Sequence, residues 1–220
     1  MWSSLFPPTC LGCGRLLRHD RALALCTRCR PEQGRLAPDL ALGSQICARW
    51  AYDGPLSRAV LQLKFSAALA LAGPLGRLLA SDPWFYADER GEAWELVMAV
   101  PLHWRRRVAR GFDQSELLLR WALRHAPIPP SGPPPRPLYR GLVRTRSTSP
   151  QSELPARRRL GNVEQAFAVR HPGQVRGRRV LVIDDVTTTG ATLQACIQTL
   201  NAAGAESVGG LALLRTLNLP

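Results

Sequence analysis

Lysine is almost absent from this chain. Lys64 stands alone, and arginine supplies the rest of the 29 basic residues. Acidic residues are also scarce, 16 in all, which leaves a net charge of +13. No apolar run is long enough to cross a bilayer; residues 67–80 come nearest, and Pro74 and Arg77 break them. That absence argues against membrane insertion. The first residues show no basic segment leading into an apolar stretch, so no secretory signal peptide is expected and a cytoplasmic location is. Two phosphate-binding signatures are missing as well. There is neither the GxxxxGK[ST] of a nucleotide P-loop nor the GxGxxG of a dinucleotide fold. No internal repeat is visible.

What remains is a globular chain of 220 residues, 45% hydrophobic, long enough for one sizeable domain and a small appendage. A charge of +13 attracts polyanions. A set of phosphate-binding loops would produce the same excess, so nucleic acid is one candidate partner among several.

The appendage comes first. Cys10 and Cys13 form one CxxC pair, Cys26 and Cys29 another, and Gly12 and Gly14 flank Cys13 as a tight knuckle requires. Two such pairs read as a four-thiolate tetrahedral Zn2+ site, which is closed and therefore structural. Disulfides are the rival reading, disfavoured because the pairs are too close to staple a core. Cys47 and Cys196 fall outside the pattern and read as core.

Residues 180–192, VLVIDDVTTTGAT, organise the remainder. The run from Val180 to Ile183 predicts a strand buried on both faces. Asp184 and Asp185 fall where that strand should end. Thr187, Thr188, Thr189, Gly190 and Thr192 then make a polar turn. Leu193, Ile197 and Leu200 follow at helical spacing, with Gly204 as the stop and a further strand over 208–214. Backbone N–H groups near a helix start, with threonine hydroxyls beside them, favour a phosphate. Two adjacent carboxylates suit sugar hydroxyls or a divalent cation. A phosphorylated ribose with Mg2+ meets all of these requirements, whereas an Asp-Asp helix cap is the plain alternative.

A second strand–loop–helix unit spans 96–125. The strand covers 96–100. A loop after Pro101 holds Arg105, Arg106, Arg107, Arg110 and Gly111, and a helix starts at Ser115 as N-cap, burying Leu118, Leu119, Ala122 and Leu123. Upstream, the pattern predicts a strand near 46–52 and helices around Leu56–Leu63 and Leu71–Leu79. Residues 127–137 read as a stiff proline-rich linker, 138–162 as a mobile basic loop with a helical turn near 154–160, and 166–169 as a short strand. Lys64 is a minor candidate for phosphate contact. Trp104 and Trp121 are stacking candidates, although Trp121 reads better as core.

The 180–192 segment resembles the 5-phosphoribosyl 1-pyrophosphate (PRPP) motif of type I phosphoribosyltransferases. Together with LKF at 63–65, VPLHWRRRVARGFDQSELL at 100–118, the pattern from Arg144 and Arg146 to Gln151, Arg159, Asn162 and Phe167, and the cysteine pairs, it resembles the ComF family across nearly the whole chain. The resemblance implies an α/β, type I phosphoribosyltransferase-like (Rossmann-like) fold, a mostly parallel sheet with flanking helices, over 45–220. An N-terminal zinc ribbon over 1–35 would precede it, and a flexible loop over 127–162 would interrupt it. It implies that Asp184 and Asp185 hold the ribose and, with PRPP, Mg2+; that Thr187 to Thr192 take the 5′-phosphate; and that Arg105, Arg110 and Gly111 take the pyrophosphate. It further implies a role in DNA uptake during natural transformation, with single-stranded DNA and other competence proteins as partners. Turnover is left open. The same site suits a phosphoribosyl transfer, including a nucleobase or amido transferase of metabolism, or binding of PRPP or a DNA 5′-phosphate without reaction. The chain departs from the family at Asp113, where Asn is usual, and at Ser66-Ala67, where a glycine is.

Overall fold

The computed structural model describes residues 9–17, 25–29, 36, 42, 44–126, 134–145 and 166–217. In chain order the elements are β1 (Ile46–Ala51), α1 (Gly54–Phe65), α2 (Ala72–Ala80), β2 (Leu96–Ala99), α3 (Trp104–Arg110) and α4 (Gln114–His125). There follow β3 (Arg136–Pro137), β4 (Leu142–Arg144), β5 (Phe167–Val169), α5 (Pro172–Val175), β6 (Arg179–Thr187), α6 (Ala191–Ala202) and β7 (Ser207–Arg215). Five strands form one sheet in the order β1-β7-β6-β2-β3, and every neighbouring pair is parallel. β4 and β5 form a separate antiparallel pair.

Period-two alternation divides the core between the two faces of this sheet. Val97, Leu181, Ile183 and Leu211 pack with α1, α2 and α4. Leu96, Met98, Val180, Val182 and Val208 pack with α6 through Leu193, Cys196, Ile197 and Leu200. A strand covered on both sides needs an unbroken apolar run, which explains the 180–183 pattern. Helix α6 and its stop fall where spacing predicted: Leu193, Ile197 and Leu200 are fully buried, and Gly204 adopts φ +90.

Two stretches differ from the sequence reading. Residues 134–137, read as linker, end in β3. Arg136 and Leu138 donate their N–H groups to Glu95 and Val97, while Pro137, which has no N–H, sits between them on an edge strand, where that lack costs no ladder bond. Residues 138–145, read as mobile loop, form a turn and β4, held by Arg170 N–H donating to Gly141 O at 2.8 Å. Leu61 of α1 is 41% exposed, while Leu56, Val60 and Leu63 are buried. The helical turn near 154–160 and the far limit of the ribbon lie outside the described residues.

Ala67 takes φ +48, the left-handed conformation for which glycine is the cheap residue.

The cysteine module is seated on the main domain. Leu11, Leu17 and Leu25 share one core cluster with α1, α2 and α4. A Cβ on Gly12 would stand 2.8 Å from Pro55 Cβ and 2.9 Å from Cys29 Sγ, so only glycine lets the knuckle meet the first turn of α1.

α2 and α4 meet through glycine. A Cβ on Gly76 would lie 2.6 Å from Trp121 Cβ and 2.8 Å from the backbone nitrogen of Ala122, whereas one on Gly73 would stop 3.5 Å from the Trp121 ring. Alanine gains about 1 kcal/mol over glycine in a helix. At position 73 that gain should survive. At position 76 the overpacking cost of about 1–3 kcal/mol falls on backbone that cannot yield and should prevail. Denaturant midpoints should therefore rise or hold for Gly73→Ala and fall for Gly76→Ala.

Candidate functional site

The two central strands end at different heights. β2 pairs with β6 only as far as Ala99 opposite Ile183; Val100 N–H donates to Ile183 O at 2.8 Å, and the chain then turns away at Pro101. On its other side β6 stays paired with β7 through Thr187 opposite Arg215. Asp184 and Asp185 thus lie within the strand, not beyond its end as the sequence suggested, because β7 extends the ladder. They overhang β2 on the open side. The chain leaves β2 toward β3 and leaves β6 through α6 toward β7, so this is the point where strand connections diverge, the usual ligand position in such sheets.

A cavity of about 250 Å³ occupies the place. Asp184, Asp185, Thr187, Thr188 and Thr192 line it from β6 and the following turn. Lys64, Pro101, Ser115 and Arg144 close it from other elements. Thr189 and Gly190 sit in the same turn without lining the cavity. Thr189 Oγ1 accepts from Ala191 N–H at 3.4 Å, and Gly190, at φ +80, is the N-cap of α6.

The carboxylates are buried, 8% exposed at Asp184 and 4% at Asp185. Lys64 Nζ stands 2.7 Å from Asp185 Oδ2, so the lone lysine meets an aspartate. Asp184 Oδ1 accepts from Ser115 Oγ at 3.0 Å and from Asp185 N–H at 2.9 Å. Burial, reinforced by the neighbouring Asp185 carboxylate and only partly offset by Lys64, pushes Asp184 up to about 8. Thr188 Oγ1 is buried with no hydrogen-bond partner among the described residues. A hydroxyl left so inside a polar cavity fits an anion that would accept from it.

The arginine segment differs from the loop expected. It is helix α3, capped by His103 Nδ1, which accepts from Arg105 N–H, and closed by Gly111 at φ +77. Arg105, Arg110 and Gly111 lie outside the cavity lining. Arg110 donates to Gln114 Oε1 at 2.9 Å and stacks over the Phe65 ring at 5.2 Å. The cap of α4 is Asp113, not Ser115: Asp113 accepts from Glu116 N–H at 3.2 Å and from Leu102 N–H at 2.7 Å. Its carboxylate is therefore engaged in fixing the 101–102 turn. Ser115, freed from capping, reaches Asp184. Sequence reading missed that contact and the Arg144 wall, because both cross elements distant in the chain.

The four ribbon thiols lie within 4.8 Å of one another. All six cysteines of the chain are free. Cys10 Sγ accepts from Gly12 N–H at 3.4 Å and from Cys26 N–H at 3.3 Å. Four thiolates about 2.3 Å from a tetrahedral ion stand about 3.8 Å apart, and Cys13 and Cys26 have that separation, 3.8 Å. The cluster is of a size and donor type to hold a metal.

The phosphoribosyl transferase domain family matches residues 139–217, the segment that carries β6, its polar turn, α6 and β7. With the parallel sheet and the overhanging aspartates, that match defines a protein of the type I phosphoribosyltransferase fold. The DNA utilization protein YhgH of Escherichia coli is 33% identical over 225 residues, covering 94% of this chain and 90% of that protein. Competence protein F of Haemophilus influenzae is 30% identical over 165 residues, covering 71% of this chain and 66% of that protein. The chain belongs to the ComF family. The solved glutamine PRPP amidotransferase from B. subtilis aligns over 64% of this chain and 25% of its own at 22% identity and a TM-score of 0.38, too weak a likeness to carry an argument. Among the described residues no helix is long and apolar enough to cross a membrane.

The Asp184 shift has a signed consequence. With its folded value raised to about 8 above an ordinary carboxylate near 4, the native state holds a proton that the unfolded chain releases. Stability from this group is complete below about pH 4 and is lost as pH climbs toward 8. Asp184→Asn does not titrate. Its melting temperature should match wild type near pH 4 and exceed it increasingly up to pH 8. A gap that stays constant across thermal melts from pH 4 to 9 would show that Asp184 ionises normally.

Proposed function

We propose that this chain binds PRPP with Mg2+ in the cavity beside β6, and binds single-stranded DNA, in the cytoplasmic handling of DNA taken up by the cell. The observation that carries the reading is the pairing of two buried carboxylates with an unpartnered buried threonine hydroxyl in one cavity. Asp184 and Asp185 would meet the ribose hydroxyls and help hold Mg2+, and Thr187 to Thr192 would take the 5′-phosphate. Mg2+ would supply neutralising charge to the pyrophosphate. Arg144 and Lys64 are the cations at the cavity wall that could approach the leaving group, while Arg105, Arg110 and Gly111 would join only if α3 moved toward it. Binding without turnover is the second reading, favoured by the Lys64–Asp185 ion pair, which already neutralises one of the two carboxylates. Pyrophosphate release with candidate acceptors separates the two.

The DNA component draws on the names of the relatives and on the surface beside the site. Trp104 is 61% exposed and Phe65 72% exposed, and arginines interleave with both. Aromatic faces among arginines suit single strands of any sequence. Other competence proteins are further candidate partners. The ribbon would hold one structural Zn2+.

Calorimetric titration of PRPP with Mg2+ tests the site. Thr188→Val should weaken binding about tenfold or more, since a hydrogen bond to a charged group contributes about 1.5–3 kcal/mol. Asp184→Asn combined with Asp185→Asn should abolish metal-dependent binding without unfolding the chain. Unchanged affinity in that pair would remove the assignment.

Metal analysis tests the ribbon. Purified protein should carry one Zn2+ per chain, and Cys10→Ser or Cys26→Ser should lose it. Because Leu11 and Leu17 share the core with α1, the melting temperature should fall with the metal. Full occupancy in both variants would contradict a four-thiolate site.

A further inference from the structure

A second cavity, about 240 Å³, lies on the other side of the Pro101–Leu102 turn from the first. The two share Pro101, Leu102 and Arg144, so the turn is a common wall. Trp104 and Arg107 of α3 line the second cavity from one side. Tyr139, Arg140, Arg144 and Arg170 line it from the other.

Its charge balance is positive. Four arginines face two carboxylates, and both carboxylates are already engaged. Asp113 accepts two backbone N–H groups. Glu116 is held by Arg120 at 2.7 Å. Arg107, Arg140 and Arg170 have no ion pair among the described residues. An anion entering here meets guanidinium groups without having to displace a carboxylate.

The walls add flat aromatic surface. Trp104 is 61% exposed and Tyr139 38% exposed. The guanidinium of Arg120 lies 4.1 Å from the Tyr139 ring centroid, which fixes the ring from one side. The turn at 138–141 on the opposite wall is strained: Arg140 adopts φ +55, a conformation uncommon outside glycine and asparagine. Such outliers concentrate where a ligand is met. The volume lies below the roughly 300–1,000 Å³ of typical ligand pockets. It therefore suits a single unit, not a chain segment.

We propose that this second cavity binds one nucleoside 5′-monophosphate, free or as the 5′-terminal unit of a single strand, its phosphate among Arg107, Arg140 and Arg170 and its base against Trp104 or Tyr139. Binding does not depend on how the neighbouring cavity is read. If that neighbour holds PRPP, the shared Pro101–Leu102 wall sets the nucleotide beside a reactive ribose.

The test is calorimetric, on the full chain, with dAMP, deoxyribose 5-phosphate and matched oligonucleotides with 5′-phosphate or 5′-hydroxyl ends. dAMP should bind tighter than the sugar phosphate, and that preference should vanish in Trp104→Ala or Tyr139→Ala. Arg140→Gly combined with Arg170→Gln should weaken dAMP at least tenfold while leaving PRPP affinity unchanged. Glycine accepts the Arg140 backbone without strain and Arg170 is exposed, so the variant should fold. The Asp184→Asn, Asp185→Asn chain should bind dAMP as wild type does, which separates failure of this site from failure of the first. Preference for the 5′-phosphorylated strand over dAMP would identify a strand terminus as the natural ligand, and the reverse a free nucleotide. Equal affinity for dAMP and deoxyribose 5-phosphate, base preference retained in both aromatic variants, or dAMP binding indifferent to the arginine changes would each overturn the proposal.

Discussion

One difference in strand length underlies the site. β6 continues four residues past the last pair it makes with β2, from Asp184 to Thr187, while β7 supports it throughout. Had β2 continued alongside, its side chains and backbone would cover that edge, and the aspartates would have to be paired or absent. Because Pro101 turns the chain away, two carboxylates can stay within a strand, largely out of water, and still border a cavity. Their mutual repulsion is tolerated because Lys64 and Ser115 arrive from two different helices. The cavity is thus assembled from a strand that runs on, a strand that stops and two helices that reach across.

Positive charge is distributed around this arrangement with some economy. The two acids that line the second cavity are assigned to local tasks: Asp113 fixes a turn and caps α4, and Glu116 holds Arg120. Arg107 and Arg140, which line the second cavity, therefore keep their charge free of any carboxylate among the described residues. A chain at +13 with its few acids so engaged presents a basic front at the carboxyl edge of the sheet. Such a front concentrates phosphates before any particular contact forms.

The fold was legible wherever burial imposes a period. The 180–183 run, the spacing of α6 and its Gly204 stop needed no partner to be recognised, since two-sided burial and helical periodicity act within a few residues. Legibility failed where tertiary contact decides between local options. Asp113 and Ser115 are both good caps, and only the position of Asp184 settles which one turns inward. The Arg105–Arg110 segment has no apolar stripe, so nothing in its pattern announces α3; His103 and Gly111 define its ends. Pro137 reads as a strand breaker, and only its place on an edge makes it harmless. The PRPP-type residues were visible as a motif, but the wall formed by Lys64, Ser115 and Arg144 joins positions from 64 to 185 and leaves no local trace. Of the expected flexible loop over 127–162, residues 134–137 and 138–145 are strand and turn, and 127–133 and 146–162 lie outside the described residues.

The helix α1 links two parts of the molecule that the sequence presents as separate modules. Its first turn, at Pro55, rests on the cysteine knuckle at Gly12, and its last turn carries Lys64 to Asp185. Twelve helical residues make a rod about 18 Å long with a fixed rotation of about 100° per residue. The distance from Pro55 to Lys64 therefore acts as a phase setting. Insertion or deletion of one residue would swing the ammonium group well off the aspartate and turn the buried side chains beyond it, Leu63 among them, by the same angle. Spacing along this rod thus couples the seat of the cysteine knuckle to the place of the ammonium group at the cavity.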